Sequence, residues 1–299
     1  MKPAPFEYHA PSTVDEVVAL LAELGDGAKV LAGGQSLVPM LALRLAVFDH
    51  LVDLRRLDEL RGIERRNGGL HIGAATTQAA IEASAVVAAT VPLLAHATPF
   101  IGHFQIRNRG TIGGTLAHAD PAAEYPAVAL TLDAQLDVDS PRGRRTIPAS
   151  GFFTGTWTTE LADDEVLTGA TFPIWDGRSG FAVEELARRH GDFAIAGATV
   201  AVELDDQGGV GRCAVGLFGL GSTPERGAAA EEAATGATVA EINADDVGNL
   251  AMSTLESVPS DAHGTAQYRT RVGAVMVARA WRRAVEQDQV FRFAQAPGK

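Results

Sequence analysis

Apolar residues at Val14, Val17, Val18, Leu21 and Leu24 recur every three or four positions, the spacing of one helix face. Ser12 stands as the N-cap with Asp15 three residues on, and Gly25 closes the run, so a helix is predicted over 12–24. The pattern then shortens. Lys29–Ala32 is a strand running into Gly33-Gly34, Leu51–Leu54 is a second, and Leu70–Ala74 is a third, entered through the Asn67-Gly68-Gly69 turn. Val86–Ile101 is apolar and helical in pattern, Ala122–Leu132 is a helix, and Gln135–Val138 and Val166–Phe172 are strands.

Trp175–Gly180 reads as a linker, and the order of elements changes after it. Strands are predicted at Phe181–Leu186, Ala194–Leu204 and Cys213–Leu220, followed by helices at Glu225–Ala234, Val239–Ser257 and Ala266–Gln287. Strands followed by helices make a separate α+β unit. The chain beyond Val290 is expected to fray.

Composition narrows the function classes. The chain has 299 residues, room for about two domains, with 46% hydrophobic and 21% charged residues. The formal charge of −12 disfavours nucleic acid and anionic membranes as partners. The start of the chain lacks a signal-peptide pattern, and no apolar run approaches the ~18 residues of a membrane span, so a cytoplasmic location is expected. Cys213 is the only cysteine, which excludes an internal disulfide and a self-contained iron–sulfur or Cys-rich zinc site.

Candidate chemistry concentrates at two glycine pairs. Walker-type, HExxH, CxxC and GxSxG motifs are absent, and Gly216–Gly221 lacks the spacing of a dinucleotide fingerprint. Ala32-Gly33-Gly34-Gln35-Ser36 follows a strand, and Thr111-Ile112-Gly113-Gly114-Thr115 repeats the same mixture of glycine and hydroxyl. Such turns let backbone N–H groups converge on a phosphate, and equally serve as tight packing turns. None of the eight histidines has metal-ligand spacing, and His118-Ala119-Asp120 is the single His–carboxylate pair that stands out, as a loop hydrogen-bonding unit.

Ala32–Met40 with Leu43–Ala46 resembles the first FAD loop of the medium subunits of molybdenum hydroxylases, a family including aerobic carbon monoxide dehydrogenase and xanthine dehydrogenase relatives. Gln105–Thr115 with His118–Glu124 is similar to the second loop, and Arg188–Ala194 and His263–Arg269 to C-terminal motifs. The resemblance spans Tyr8 to about Arg283.

It implies an α+β fold: an FAD-binding domain of the vanillyl-alcohol-oxidase (PCMH) type over 1–176, with subdomains 1–57 and 58–176. A smaller α+β domain over 177–290 and a tail at 291–299 follow. It also implies FAD in this chain, two [2Fe–2S] clusters in a small partner subunit, and a molybdenum–cytosine dinucleotide in a large one, assembled as a dimer of heterotrimers. Ala32, Gly33, Gly34, Gln35 and Ser36 with Thr111, Ile112, Gly113, Gly114 and Thr115 are then expected to bind the pyrophosphate and ribityl chain. Lys29 is expected on the phosphate or adenine side, Ile101 beside the cofactor, Asp120 or Glu124 on its polar part, and Phe193 near the isoalloxazine. No side chain is expected to act as acid or base, and no metal is expected in this chain. The sequence departs from the pattern where relatives carry a lysine: Glu184 and Glu185 stand there, read as a solvated strand face. A stand-alone flavin oxidase and a cofactor-free scaffold of the same fold remain as alternatives.

Overall fold

The structure, a computed structural model, describes residues 2–295, with side chains described through Gln287. Its first layer is a parallel three-stranded sheet. The elements run β1 (Glu7–His9), α1 (Val14–Leu24), β2 (Ala28–Leu31), α2 (Leu37–Leu43) and β3 (His50–Asp53), with strand order β1-β3-β2. The apolar stripe of α1 buries Val14, Val17, Val18 and Leu21 against Val52 and Leu54. The helix is capped by Thr13 rather than Ser12: Thr13 has extended backbone, and its hydroxyl accepts the Glu16 N–H at 3.2 Å. Ser12 instead donates from its amide and hydroxyl to the Glu16 carboxylate.

A five-stranded antiparallel sheet follows, in the order β4 (Ile63–Arg66), β5 (Gly69–Gly73), β10 (Val166–Pro173), β6 (Gln135–Ser140), β7 (Gly143–Pro148). Between β5 and β6 the chain forms six helices: α3 (Gln78–Glu82), α4 (Ala85–Thr90), α5 (Pro92–Ala97), α6 (Phe104–Arg107), α7 (Ile112–His118) and α8 (Glu124–Thr131). The apolar stretch 86–101 is therefore interrupted. Pro92 supplies no N–H and disfavours helical backbone at Val91, so α4 stops and α5 starts with the proline in its first turn. Every residue of α8 is buried. A short helix α9 (Ala149–Phe152) and a small hairpin of β8 (Phe153–Gly155) and β9 (Thr158–Thr159) precede β10.

The last layer is an antiparallel sheet in the order β11 (Arg178–Leu186), β12 (Ala196–Leu204), β13 (Val210–Phe218), β14 (Glu225–Arg226), packed against α10 (Ala228–Ala234), α11 (Ala244–Ser253) and α12 (Ala266–Gln295). Glu225 and Arg226 pair with β13, so the expected helix at 225 begins later. The stretch 239–257 divides into a 3-10 turn, Val239–Glu241, and α11, which Asn243 caps. The expected tail at 291 begins inside α12, and 296–299 lie outside the described residues.

The linker expectation also changes. Trp175 is buried, with the Arg212 guanidinium 3.9 Å over its ring and Phe181 edge-on at 5.9 Å. Phe181, Val183, Ala201, Ala214 and Phe218 share one core cluster with Leu70, Ile72, Tyr125 and Phe172. Apolar packing therefore crosses the junction, and tryptophan ring area is what fills it. No helix is long and apolar enough to cross a membrane among the described residues.

Candidate functional site

The first glycine pair turns the chain from β2 into α2. Gly34 has φ +74°, backbone that favours glycine. At Gly33 the need is space: a Cβ there would lie 2.2 Å from the Arg109 carbonyl oxygen and 2.8 Å from the Gly110 Cα. Hydrogen at this position is what lets the two segments touch. The Gln35 amide closes the turn onto the Gly33 carbonyl at 3.2 Å, and the Val38 N–H bonds to the Gly34 carbonyl at 3.0 Å. The N–H groups of Gly33, Gly34, Gln35 and Ser36 have no internal acceptor among the described residues. The Ser36 side chain makes no cap bond to α2.

Gly33, Gly34 and Gln35 border a cavity of about 350 Å³, also lined by Leu31, Asp53, Arg55 and Arg109. Asp53 is buried and already partnered: Arg55 donates to it from Nε at 2.6 Å and Tyr8 from its hydroxyl at 2.7 Å. The Arg109 guanidinium has no internal partner among the described residues. A fan of free N–H groups beside an unpaired cation makes a concavity suited to an anion. A larger cavity, about 730 Å³, lies between α11 and α12 and touches neither glycine pair.

The second pair is built differently. Thr111 caps α7, its hydroxyl accepting the Gly114 N–H at 3.1 Å. The Ile112 N–H bonds to the Thr76 carbonyl at 3.1 Å, Gly113 to Ala74 at 2.9 Å, and Thr115 to Thr111 at 3.0 Å. Free N–H groups were expected at both loops; here internal acceptors already hold them. These glycines serve close approach. A Cβ on Gly113 would lie 2.4 Å from the Ala74 Cβ, and one on Gly114 3.1 Å from the Ala32 Cβ, so α7 packs directly behind the first turn. Gln78 donates to the Thr115 hydroxyl at 2.9 Å. Arg107 pairs with Glu82 at 2.8 and 3.0 Å and donates to the carbonyls of Ile101 and Gly102, tying Ile101 to this lead-in.

Beyond α7, Ala119 turns through φ +50° into Asp120. Asp120 accepts the Ala122 N–H at 2.9 Å and the Trp157 indole N–H at 3.3 Å, and the His118 ring stacks on that indole with 6.4 Å between centroids. Burial pushes His118 below the usual imidazole range; the Asp120 charge opposes this, and the Lys29 charge reinforces it. Lys29, His118 and Asp120 thus share one electrostatic neighbourhood. Trp157 is 58% exposed, also at positive φ, and no periodicity in the sequence marked it.

Glu124 begins α8 and is buried; desolvation first, then the Glu185 charge, pushes its carboxyl up to about 8. Burial likewise raises Glu185 to about 7, and its Oε2 is enclosed without a partner. Glu185 is therefore not the solvated residue expected. Its neighbour Glu184 pairs with Arg283.

Phe193 is 68% exposed and follows the turn 188–192. That turn packs against the chain just after Ile101: a Cβ on Gly191 would lie 3.0 Å from the Gly102 carbonyl, and the His103 and His190 rings are 6.0 Å apart. Arg269, from the last C-terminal motif, holds the arrangement from behind. It is buried, bonds to the carbonyls of Ile195 at 2.6 Å and Gly219 at 3.0 Å, and takes both oxygens of Asp261 at 2.7 Å. The Gly219 N–H bonds to the Pro121 carbonyl at 2.7 Å, which links this clamp to the Asp120–Glu124 segment.

Comparison with known proteins assigns the framework. The family described as "FAD binding domain in molybdopterin dehydrogenase" matches residues 4–175, and the "CO dehydrogenase flavoprotein C-terminal domain" matches 181–284. The chain belongs to the FAD-binding medium chains of the molybdenum hydroxylases. It is 39% identical to the carbon monoxide dehydrogenase medium chain of Hydrogenophaga pseudoflava over 280 residues, 94% of this chain and 97% of that one. Identity to the 6-hydroxypseudooxynicotine dehydrogenase complex subunit alpha of Paenarthrobacter nicotinovorans is 40%, over 95% of this chain and 96% of that one. Among solved structures, carbon monoxide dehydrogenase of H. pseudoflava superposes with a TM-score of 0.91 at 41% identity, covering 95% of this chain and 98% of that one. Quinoline 2-oxidoreductase of Pseudomonas putida 86 superposes with a TM-score of 0.91 at 34% identity, covering 96% and 99%.

The residues present fit the FAD this family binds. The open N–H fan of Gly33–Ser36 and the unpaired Arg109 suit a diphosphate.

Proposed function

We propose that this chain is the electron-transfer subunit of a three-part molybdenum hydroxylase, working in the cytoplasm within a dimer of heterotrimers. A small subunit holds two [2Fe–2S] clusters, and a large subunit holds a molybdenum–cytosine dinucleotide and oxidises the substrate. FAD, when bound, would supply this chain's redox chemistry, the relay between the clusters and an external acceptor. The observation that carries this reading is the similarity to medium chains over almost the whole length of both partners in each comparison. Cysteine usage supports it: Cys213 is buried, its thiol pushed up to about 12 chiefly by desolvation, and one such residue holds no cluster.

The division at 176/177 separates the part that holds FAD from the part that closes over it. Gly33, Gly34, Gln35 and Ser36 hold the pyrophosphate through N–H groups and the serine hydroxyl, with Ala32 at the entrance and Lys29 and Arg109 supplying charge. Thr111, Ile112, Gly113, Gly114 and Thr115 set the shape of the wall behind them. Ile101 and Phe193 flank the ring system, and Asp120 and Glu124 face its polar parts. With Glu124 and Glu185 both raised by burial, the pair retains protons near neutral pH, so the ring's surroundings carry less negative charge than two ionised carboxylates would impose. Relatives named for carbon monoxide, 6-hydroxypseudooxynicotine and quinoline match this chain at 39, 40 and 34% identity, which supports leaving substrate choice to the large subunit.

The test is gentle purification of the chain from its own host, followed by its visible spectrum. Flavin bands overlaid with iron–sulfur absorbance, together with two further polypeptides, are expected. Flavin on a lone polypeptide would replace this reading with a self-contained oxidase, and a colourless chain would replace it with a scaffold.

A further inference from the structure

The edge of the first sheet carries a group of ligating side chains that spacing in the sequence does not reveal. In a strand, residues two apart share a face, and in-register neighbours on adjacent strands share it too. β1 pairs parallel with β3, Glu7 opposite His50 and His9 opposite Val52. The pleat therefore gathers Glu7, His9 and His50 on one face. Tyr8 and Asp53, which reach the cavity side, fall on the other.

The distances are those of a metal triangle. His9 Nε2 and His50 Nδ1 are 3.2 Å apart, His50 Nδ1 and Glu7 Oε2 are 3.6 Å apart, and the three ligand atoms all lie within 4.8 Å of one another. Two imidazole nitrogens on one tetrahedral zinc, each at ~2.0–2.1 Å from the ion, are separated by about 3.3 Å. Protons satisfy this group poorly. His50 Nδ1 faces both His9 Nε2 and Glu7 Oε2, and a single N–H serves only one of them. A cation on the open side serves all three.

We propose that Glu7, His9 and His50 bind one borderline divalent cation of the zinc class, which staples the N-terminal edge strand to the centre of its sheet. Two imidazoles and one carboxylate are the donor set that suits such an ion, with a fourth position left to water. β1 has three residues and pairs only with β3, so a bond between side chains adds appreciably to what holds it. The overall charge of −12 favours cation capture.

The test uses the full chain without an affinity tag, with its flavin bound, dialysed against zinc ions and assayed for metal by mass spectrometry. One zinc per chain is expected, accompanied by a rise in thermal midpoint, since a ligand that binds only the folded state stabilises it. His9→Gln is expected to abolish the stoichiometric zinc and the rise, while flavin content stays unchanged. Glu7→Gln, a change at an exposed side chain, is expected to weaken binding by at least the ~10-fold that even an outer partner of a metal ligand is worth. Wild-type protein that takes up no zinc overturns the proposal. So does zinc retained undiminished in His9→Gln or in Glu7→Gln. Because flavin content is read on the same samples, a failure of the cofactor assignment remains distinguishable from a failure of this site.

Discussion

The two glycine pairs share their sequence chemistry and differ in what their backbones are free to do. Gly33-Gly34 sits in an open turn whose N–H groups point to no internal acceptor among the described residues; Gly113-Gly114 opens a helix whose N–H groups are held by Ala74, Thr111 and Thr76 through its first turn. One pair supplies donors and the other supplies room. They depend on each other, since the Gly33 position touches the Arg109 backbone and the Gly114 position faces Ala32. A motif of glycines and hydroxyls therefore specifies close backbone approach, and the surrounding carbonyls decide whether it also binds.

The sharpest way to break this comparison is Gly33→Val. Its Cβ would meet backbone 2.2 Å away, so the two segments must separate, and FAD affinity is expected to fall by about 100-fold or more, beyond the ~2.7 kcal/mol of two decades. Fluorescence titration of released and rebound flavin measures it. Gly113→Ala should act on stability instead. Overpacking against Ala74 is expected to cost about 1–3 kcal/mol in urea unfolding, with flavin content retained in whatever folds. Gly34→Ala places a side chain at φ +74°, a conformation worth about 1–2 kcal/mol of strain, and FAD affinity should weaken roughly tenfold. Thr111→Ala removes the cap of α7 and should lower stability by about 1 kcal/mol while leaving FAD affinity nearly unchanged.

The effect most remote from the glycine pairs concerns the carboxyl pair beyond α7. Glu124 keeps its proton up to about 8 in the folded chain, against 4.5 for an ordinary glutamate. Between those values the folded state binds more protons than the unfolded one, so this group makes stability fall as pH rises. Glu124→Gln should flatten that fall in thermal midpoints measured from pH 5 to pH 9. An unchanged slope would show that the carboxyl is ionised in place.

Much of this was legible in the chain. The helical period of Val14–Leu24 and the strand running into Gly33 are local signals, and both elements formed with shifts of a residue or so at their ends. Residues 31–35 of the first glycine motif line one cavity together with Arg109 from the lead-in to the second. What stayed hidden depends on partners distant in sequence. Gly113 and Gly114 are poor helix formers, and only packing against Ala74 and the Thr111 cap makes them the start of α7. The work of Arg269 lies in its bonds to Ile195, Gly219 and Asp261, two of which are 50 or more residues away along the chain. Trp157 lies in a short hairpin with no period to mark it, and Trp175 passed for linker because its burial comes from Arg212 and Phe181.

The division of labour between the glycine pairs is tested most directly by amide hydrogen exchange, followed by mass spectrometry, on flavin-free and FAD-saturated protein. The account predicts that amides 33–36 exchange rapidly without FAD and become strongly protected with it, while 112–115 are protected in both states. Equal gains in protection at the two segments, or a gain confined to 112–115, would contradict it.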